Sequence, residues 1–163
     1  MKKIKLFSLV AIILGGLFLL SGCGCSSLDG SLEDIMNDLN NYVYEGYADD
    51  EKPRLGNINV LQEVPDNVEY YIGEADIEYE EILVSEPMMS SIAYSVVLVR
   101  MQDGADIEAA KQELLENAQY RKWICAEVAK EDVIVKNRGN VVILIMVENA
   151  EFRNKLSKGF DQI

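Results

Sequence analysis

Apolar residues are distributed along this chain in two ways. Residues 6–20 form one nearly unbroken apolar run, interrupted only by Ser8, Gly15 and Gly16, whereas downstream they recur with the periods of helices and strands. Ser31 precedes a stripe of Leu32, Ile35, Met36, Leu39, Tyr42 and Val43, and Asp34 stands where a capping partner belongs, which predicts a helix over residues 31–45. Residues 46–56 are polar and turn-rich and predict an exposed loop. A short apolar piece, residues 58–61, precedes Pro65, and residues 66–72 predict a second, short helix.

Residues 79–85 and 92–101 are β-rich, and Glu86-Pro87-Met88-Met89-Ser90 between them is too polar and proline-broken to continue a strand, so a hairpin or close pair is expected. Ile107, Ala110, Leu114, Leu115 and Ala118 recur at helical spacing and predict an amphipathic helix over residues 105–118. Residues 121–128 are ambiguous, with Trp123 and Ile124 expected to dock a short helical turn. Residues 133–135 lead through Asn137-Arg138-Gly139-Asn140 into residues 141–147, seven uninterrupted apolar positions, which predicts a hairpin whose second arm is a central strand covered on both faces. Asn149 is placed to cap a last helix with Phe152, Leu156, Phe160 and Ile163 along one side. The expected fold is α+β, a mostly antiparallel sheet with packed helices in the order β-β-α-β-β-α after an N-terminal helix.

The apolar run itself does not belong to that domain. It follows Lys2, Lys3 and Lys5 and ends in Leu20-Ser21-Gly22-Cys23, a basic start, an apolar stretch and small residues before a cysteine, which is the pattern of a bacterial lipoprotein signal. Residues 1–22 are then the signal peptide, residues 23–30 a lipidated tether, and residues 31–163 one extracytoplasmic domain. Cys23 is the expected lipidation site, because Cys25 has no aliphatic residue three positions before it. A thioether-linked diacylglycerol with an amide-linked acyl chain such as palmitate gives the two or more chains that stable anchoring needs. The expected place is the cell membrane, lipid-anchored on its extracytoplasmic face. An uncleaved membrane-spanning helix is the competing possibility; the run is short for about 20 residues and lacks a basic stop-transfer cluster.

Without residues 1–22 the chain has 141 residues, enough for a single core, with 12 basic against 28 acidic side chains and a net charge of −16. That balance argues against nucleic acid, whose binding needs clustered Lys and Arg. It fits a tethered domain kept soluble near an anionic surface, and leaves a basic protein or a cation as the possible partner. The chain contains no histidine, which removes the commonest general base and metal ligand together. Neither a cofactor nor a metal centre is expected.

The remaining chemistry is thin. Asp103-Gly104-Ala105-Asp106-Ile107-Glu108 has part of the spacing of a calcium loop but reads more simply as an acidic helix start. Glu45 with Asp49, Asp50 and Glu51, and Glu74 with Asp76, Glu78, Glu80 and Glu81, form two acidic clusters expected to be solvated. Tyr42, Tyr44, Tyr47, Tyr70 and Tyr71 are the aromatics best able to face a ligand, although amphipathic packing is the simpler account of them. Pro87-Met88-Met89 offers an adaptable contact surface if exposed, with burial the simpler expectation, and Cys125 is expected to be a small buried side chain. Ser85, Ser90, Ser91 and Ser95 carry no hydrolase motif, and no catalytic residues are nominated. An accessory or binding module is the expected function, with a carboxylate-dependent enzyme of the cell envelope as the alternative.

The lipobox, the Ser85-Glu86-Pro87-Met88-Met89 stretch, the strand Ser95-Val96-Val97-Leu98-Val99-Arg100, the acidic helix entry at Asp106-Ile107-Glu108 and the turn into Gly139-Asn140-Val141-Val142-Ile143-Leu144-Ile145 follow one another in a characteristic order. In that order the chain resembles the Gram-positive bacterial lipoproteins grouped as domain of unknown function 4358, over residues 60–160. The resemblance implies an extracytoplasmic lipoprotein and supplies no site residues.

Overall fold

A computed structural model describes residues 28–47, the backbone of residues 59–63, and residues 67–163. The lipobox of Leu20, Ser21, Gly22 and Cys23, and most of the loop expected over residues 46–56, lie outside the described residues.

The elements run α1 (Leu32–Tyr44), β1 (Asn59–Glu63), α2 (Val68–Ile72), β2 (Tyr79–Pro87), β3 (Tyr94–Met101), α3 (Ile107–Asn117), β4 (Ile134–Arg138), β5 (Val141–Val147) and α4 (Ala150–Gln162). The class is α+β. The five strands form one sheet in the order β1-β2-β3-β5-β4, every neighbouring pair antiparallel. β4 and β5 are the expected hairpin, joined by the two-residue connection Gly139-Asn140.

Side chains alternate across a strand, so each inner strand contributes to two separate cores. Val96, Leu98, Ile143 and Ile145 face one side and are covered by α1 and α4; Val97, Val99, Val142 and Leu144 face the other, covered by α2, α3 and the segment after α3. Every residue of β5 is buried because both of its faces are roofed, which is why the strand shows no polar alternation in sequence.

Local chemistry sets the helix boundaries. Ser31 Oγ accepts from Asp34 N while the Asp34 carboxylate accepts from Ser31 N, a reciprocal capping box at α1. Asp106 and Asn149 cap α3 and α4 by accepting from Ala109 N and Phe152 N, each at 3.0 Å. Helices α1 and α4 cross closely at Gly159: a Cβ there would stand 2.7 Å from Tyr42 Cδ1 and 2.9 Å from Leu39 Cδ1. At the end of α2, Gly73 lies at φ 68° with the Asn117 carbonyl so near that a Cβ would sit 2.0 Å from its oxygen, fixing α2 against the end of α3.

Residues 59–61 of the short apolar piece, to which the sequence assigned no element, form part of an edge strand, β1, and two expectations need correction. β2 does not stop at Ser85; it continues through Glu86 to Pro87, paired with Val60 and Asn59, and proline is tolerated there because it is the last residue of the strand. Residues 121–128 form no helical turn: Val128 N donates to Tyr120 O at 2.9 Å and closes an irregular loop that buries Trp123 and leaves Ile124 65% exposed.

At one end of the sheet Arg100, near the end of β3, donates to Gly30 O at 2.6 Å and faces Glu81 at 3.5 Å, placing the start of α1 beside that end. At the opposite end Arg153 donates to Val147 O and Glu148 O and pairs with Asp132 at 2.7 Å. No helix among the described residues is long and apolar enough to cross a membrane.

Candidate binding cleft

The second end of the sheet carries the cleft. The end of β2 brings Glu86 and Pro87, the start of β3 brings Ser95, α2 brings Tyr70 and Tyr71, and the loop after α3 brings Lys122 and Trp123. Ile124 N donates to Ser90 O at 2.7 Å, pinning that loop to the β2–β3 connection. The resulting cavity is about 230 Å³, walled by Tyr70, Tyr71, Val84, Glu86, Pro87, Met88, Ser90 and Trp123.

Behind the walls lies a buried cation. The Lys122 side chain is 3% exposed; its ammonium pairs with Glu86, donates to Ser95 Oγ at 3.3 Å, and lies 4.6, 4.8 and 5.5 Å from the ring centroids of Tyr70, Tyr71 and Trp123. Burial pushes the Lys122 ammonium below the usual lysine range, opposed by the Glu86 carboxylate. Burial and then the Glu86 charge push both tyrosine hydroxyls above theirs. Serine beside lysine has the composition of a nucleophile and base. Ser95, however, has no exposed surface and Lys122 is engaged by Glu86, so this pair offers a substrate no access.

The rim is apolar. Met88 is 82% exposed, Met89 54% and Ile124 65%, and Tyr70 leaves part of its ring in solvent. Five large apolar side chains are exposed among the described residues, and four of them stand on the segments around this one cleft. This corrects the expected burial of Met88 and Met89: the β2–β3 connection projects past the sheet instead of folding beneath it.

The other nominated residues go elsewhere. Tyr44 packs on Phe152 with ring centroids 6.0 Å apart, Tyr42 lies over Gly159, and Tyr47 Oη bonds Glu151 and Lys155, so three of the five tyrosines serve the α1–α4 side. Glu74, Asp76, Glu78 and Glu80 alternate outward into solvent while Ala75, Ile77 and Tyr79 pack inward. Asp106 is consumed as a cap and Glu108 by Lys111 at 2.8 Å; no cluster of three potential metal ligands occurs among the described residues. Ser85 and Ser95 are buried, whereas Ser90 and Ser91 are exposed. Cys125 is exposed at φ 61°, contrary to the expected burial, because the irregular loop turns it outward.

Lys122, Glu86 and Trp123 were not singled out by sequence as parts of a site. Their partners come from four separate elements, and the adjacent Lys-Trp pair was the one local sign. Comparison with protein-family models, curated proteins and solved structures finds no match to this chain.

Proposed function

We propose that this chain is a lipoprotein of the extracytoplasmic face of a bacterial cell membrane, anchored through Cys23, and that its domain is an accessory or binding module using the cleft beside Lys122. The resemblance to the domain-of-unknown-function lipoproteins belongs to the same proposal. The observation that carries the binding assignment is the concentration of exposed Met88, Met89, Ile124 and Tyr70 around an aromatic-walled cavity. The alternative, an envelope enzyme working with carboxylates, calls for two acids facing each other across a cleft. Glu86 is the carboxylate on this cavity wall, and it is tied to Lys122.

Two measurements test the proposal. Wild type and Cys23→Ala are compared by mass spectrometry and membrane fractionation; the wild type should carry acyl mass at a cut N-terminus, and the variant should be neither cut there nor acylated. Equal membrane attachment of both at the uncut mass refutes the lipid anchor. Turnover of glycan, peptide or ester substrates by chelator-dialysed protein, abolished by changing one Asp or Glu, would replace the binding module with the enzyme.

A further inference from the structure

We infer that the cleft receives one apolar side chain from a basic polypeptide segment, presented from the side of the domain that faces away from the membrane. This rests on the lipid-anchored binding-module proposal above.

The orientation follows from where the chain enters the fold. Gly30 is held at the Arg100 end of β3, whereas Ser95, at the other end of the same strand, lies beneath the cleft. Five residue steps of strand separate the two, about 17 Å at ~3.3 Å per residue. Cys23 lies only five residues before Leu28, a reach of at most about 18 Å. The short tether therefore brings the Arg100 end toward the bilayer and leaves Met88, Met89 and Ile124 on the distal pole, where a protein and not a lipid is the available partner.

The cavity selects the anchor. At about 230 Å³ it falls below the roughly 300–1,000 Å³ typical of small-molecule pockets, a size suited to a single protruding side chain. A cationic anchor is disfavoured, because the faces of Tyr70, Tyr71 and Trp123 already hold the Lys122 ammonium. An apolar anchor meets Pro87, Met88 and Trp123, and methionine adapts its shape to what arrives.

Charge selects the flanks. Glu69, next to the cavity-lining Tyr70 on α2, is exposed, while Arg121, next to the buried Lys122, is tied to Glu127 at 3.0 Å. In a domain whose proposed mature form carries a net charge of −16, this favours a segment with Lys or Arg beside its apolar residue.

Trp123 is the only tryptophan in the chain and lines the cavity, so its emission reports occupancy. Detergent-solubilised full-length lipoprotein is titrated at low salt with the peptides acetyl-Lys-Leu-Lys-Phe-Lys-amide, acetyl-Glu-Leu-Glu-Phe-Glu-amide and acetyl-Lys-Ser-Lys-Ser-Lys-amide. The first should give a saturable emission change, at least tenfold tighter than either of the others and weakened at least tenfold by Met88→Asp. Met88 is so exposed that its replacement should leave the melting temperature unchanged. Equal responses to the acidic or serine peptide, no response, or full binding by Met88→Asp overturns the inference. For orientation, Cys125 is labelled with a fluorophore in a Cys25→Ser background and the lipoprotein is inserted into phosphatidylglycerol vesicles containing headgroup quenchers. Weak quenching is expected; strong quenching would place the patch on lipid and overturn the assigned partner. Selective peptide binding by a chain that proves not to be lipid-anchored would sink the anchor proposal and leave the cleft's selectivity standing, and membrane attachment without selectivity would do the reverse.

Discussion

Replacing Glu86 with Gln would strip the buried Lys122 ammonium of its counter-charge while nearly preserving shape. Removing one partner of a buried ion pair costs about 3–5 kcal/mol, since the remaining charge is left desolvated. Two features lower that figure here. Glu86 keeps 16% of its side-chain surface in solvent, so the pair is not fully desolvated. Lys122 also retains Ser95 Oγ and the faces of Tyr70, Tyr71 and Trp123, each ring contributing about 0.5–1 kcal/mol. The expected loss is therefore about 2–3 kcal/mol for Glu86→Gln. Lys122→Met should cost less, about 1 kcal/mol, because it leaves behind the partner that water can reach. The two changes combined should then cost less than their sum by about 1–2 kcal/mol, as coupled neighbours do. Urea unfolding of residues 24–163, followed by Trp123 emission, measures all three variants. A Glu86→Gln variant within about 0.5 kcal/mol of wild type, or a Lys122→Met variant the less stable of the two, would refute the view of Lys122 as a sealed, paired cation.

The depressed Lys122 ammonium also sets a pH dependence. Between its folded value and the ordinary lysine value of 10.5 the unfolded chain binds that proton more tightly, so the Lys122 contribution to unfolding free energy should rise with pH in that window, and the rise should be absent from Lys122→Met. The raised tyrosine hydroxyls of Tyr70 and Tyr71 act with the opposite sign above 10.0, and Tyr70→Phe with Tyr71→Phe should remove that fall. Gly159→Ala should destabilise by about 1 kcal/mol in thermal or urea unfolding, the crowding against Tyr42 and Leu39 outweighing roughly 1 kcal/mol of gained helix propensity; a stabilised variant would show that the two helices separate freely. Val142→Asp and Ile143→Asp should each cost about 3 kcal/mol or more, on opposite faces of the sheet, and near-wild-type melting of either would contradict the two-core arrangement.

Elements with a local signature were legible in the sequence. The capping box at Ser31 and Asp34, the cap at Asn149, and the apolar block of β5 each depend on residues close together in the chain, and each forms where its pattern places it. β1 lacked such a signature: Asn59–Glu63 is short and half polar, and becomes a strand by pairing with β2. The same pairing carries β2 past Ser85, so the unassigned edge strand accounts for that error. The segment after α3 was harder still, since Trp123 is buried by packing and not by periodicity. The cleft inherits all of these difficulties. Tyr70 and Tyr71 read as rings able to face a ligand, and Pro87-Met88-Met89 as a contact surface if exposed, but no pattern in the sequence marks Lys122. Only the tertiary fold brings Glu86, Ser95 and three rings around it.

The crossing of α1 and α4 at Gly159 has a consequence for the order in which the protein matures. In a chain synthesised amino end first, α1 arrives early with Leu32, Ile35, Met36, Leu39 and Val43 ready for burial, yet its partner helix arrives last. β3 waits in the same way for β5, which fills the position beside it in the sheet. Until the C-terminal hairpin and α4 are delivered, an apolar helix and a strand edge stand uncovered. A nascent chain stalled before residue 141 should therefore be the form most readily captured by chaperones and cut by quality-control proteases.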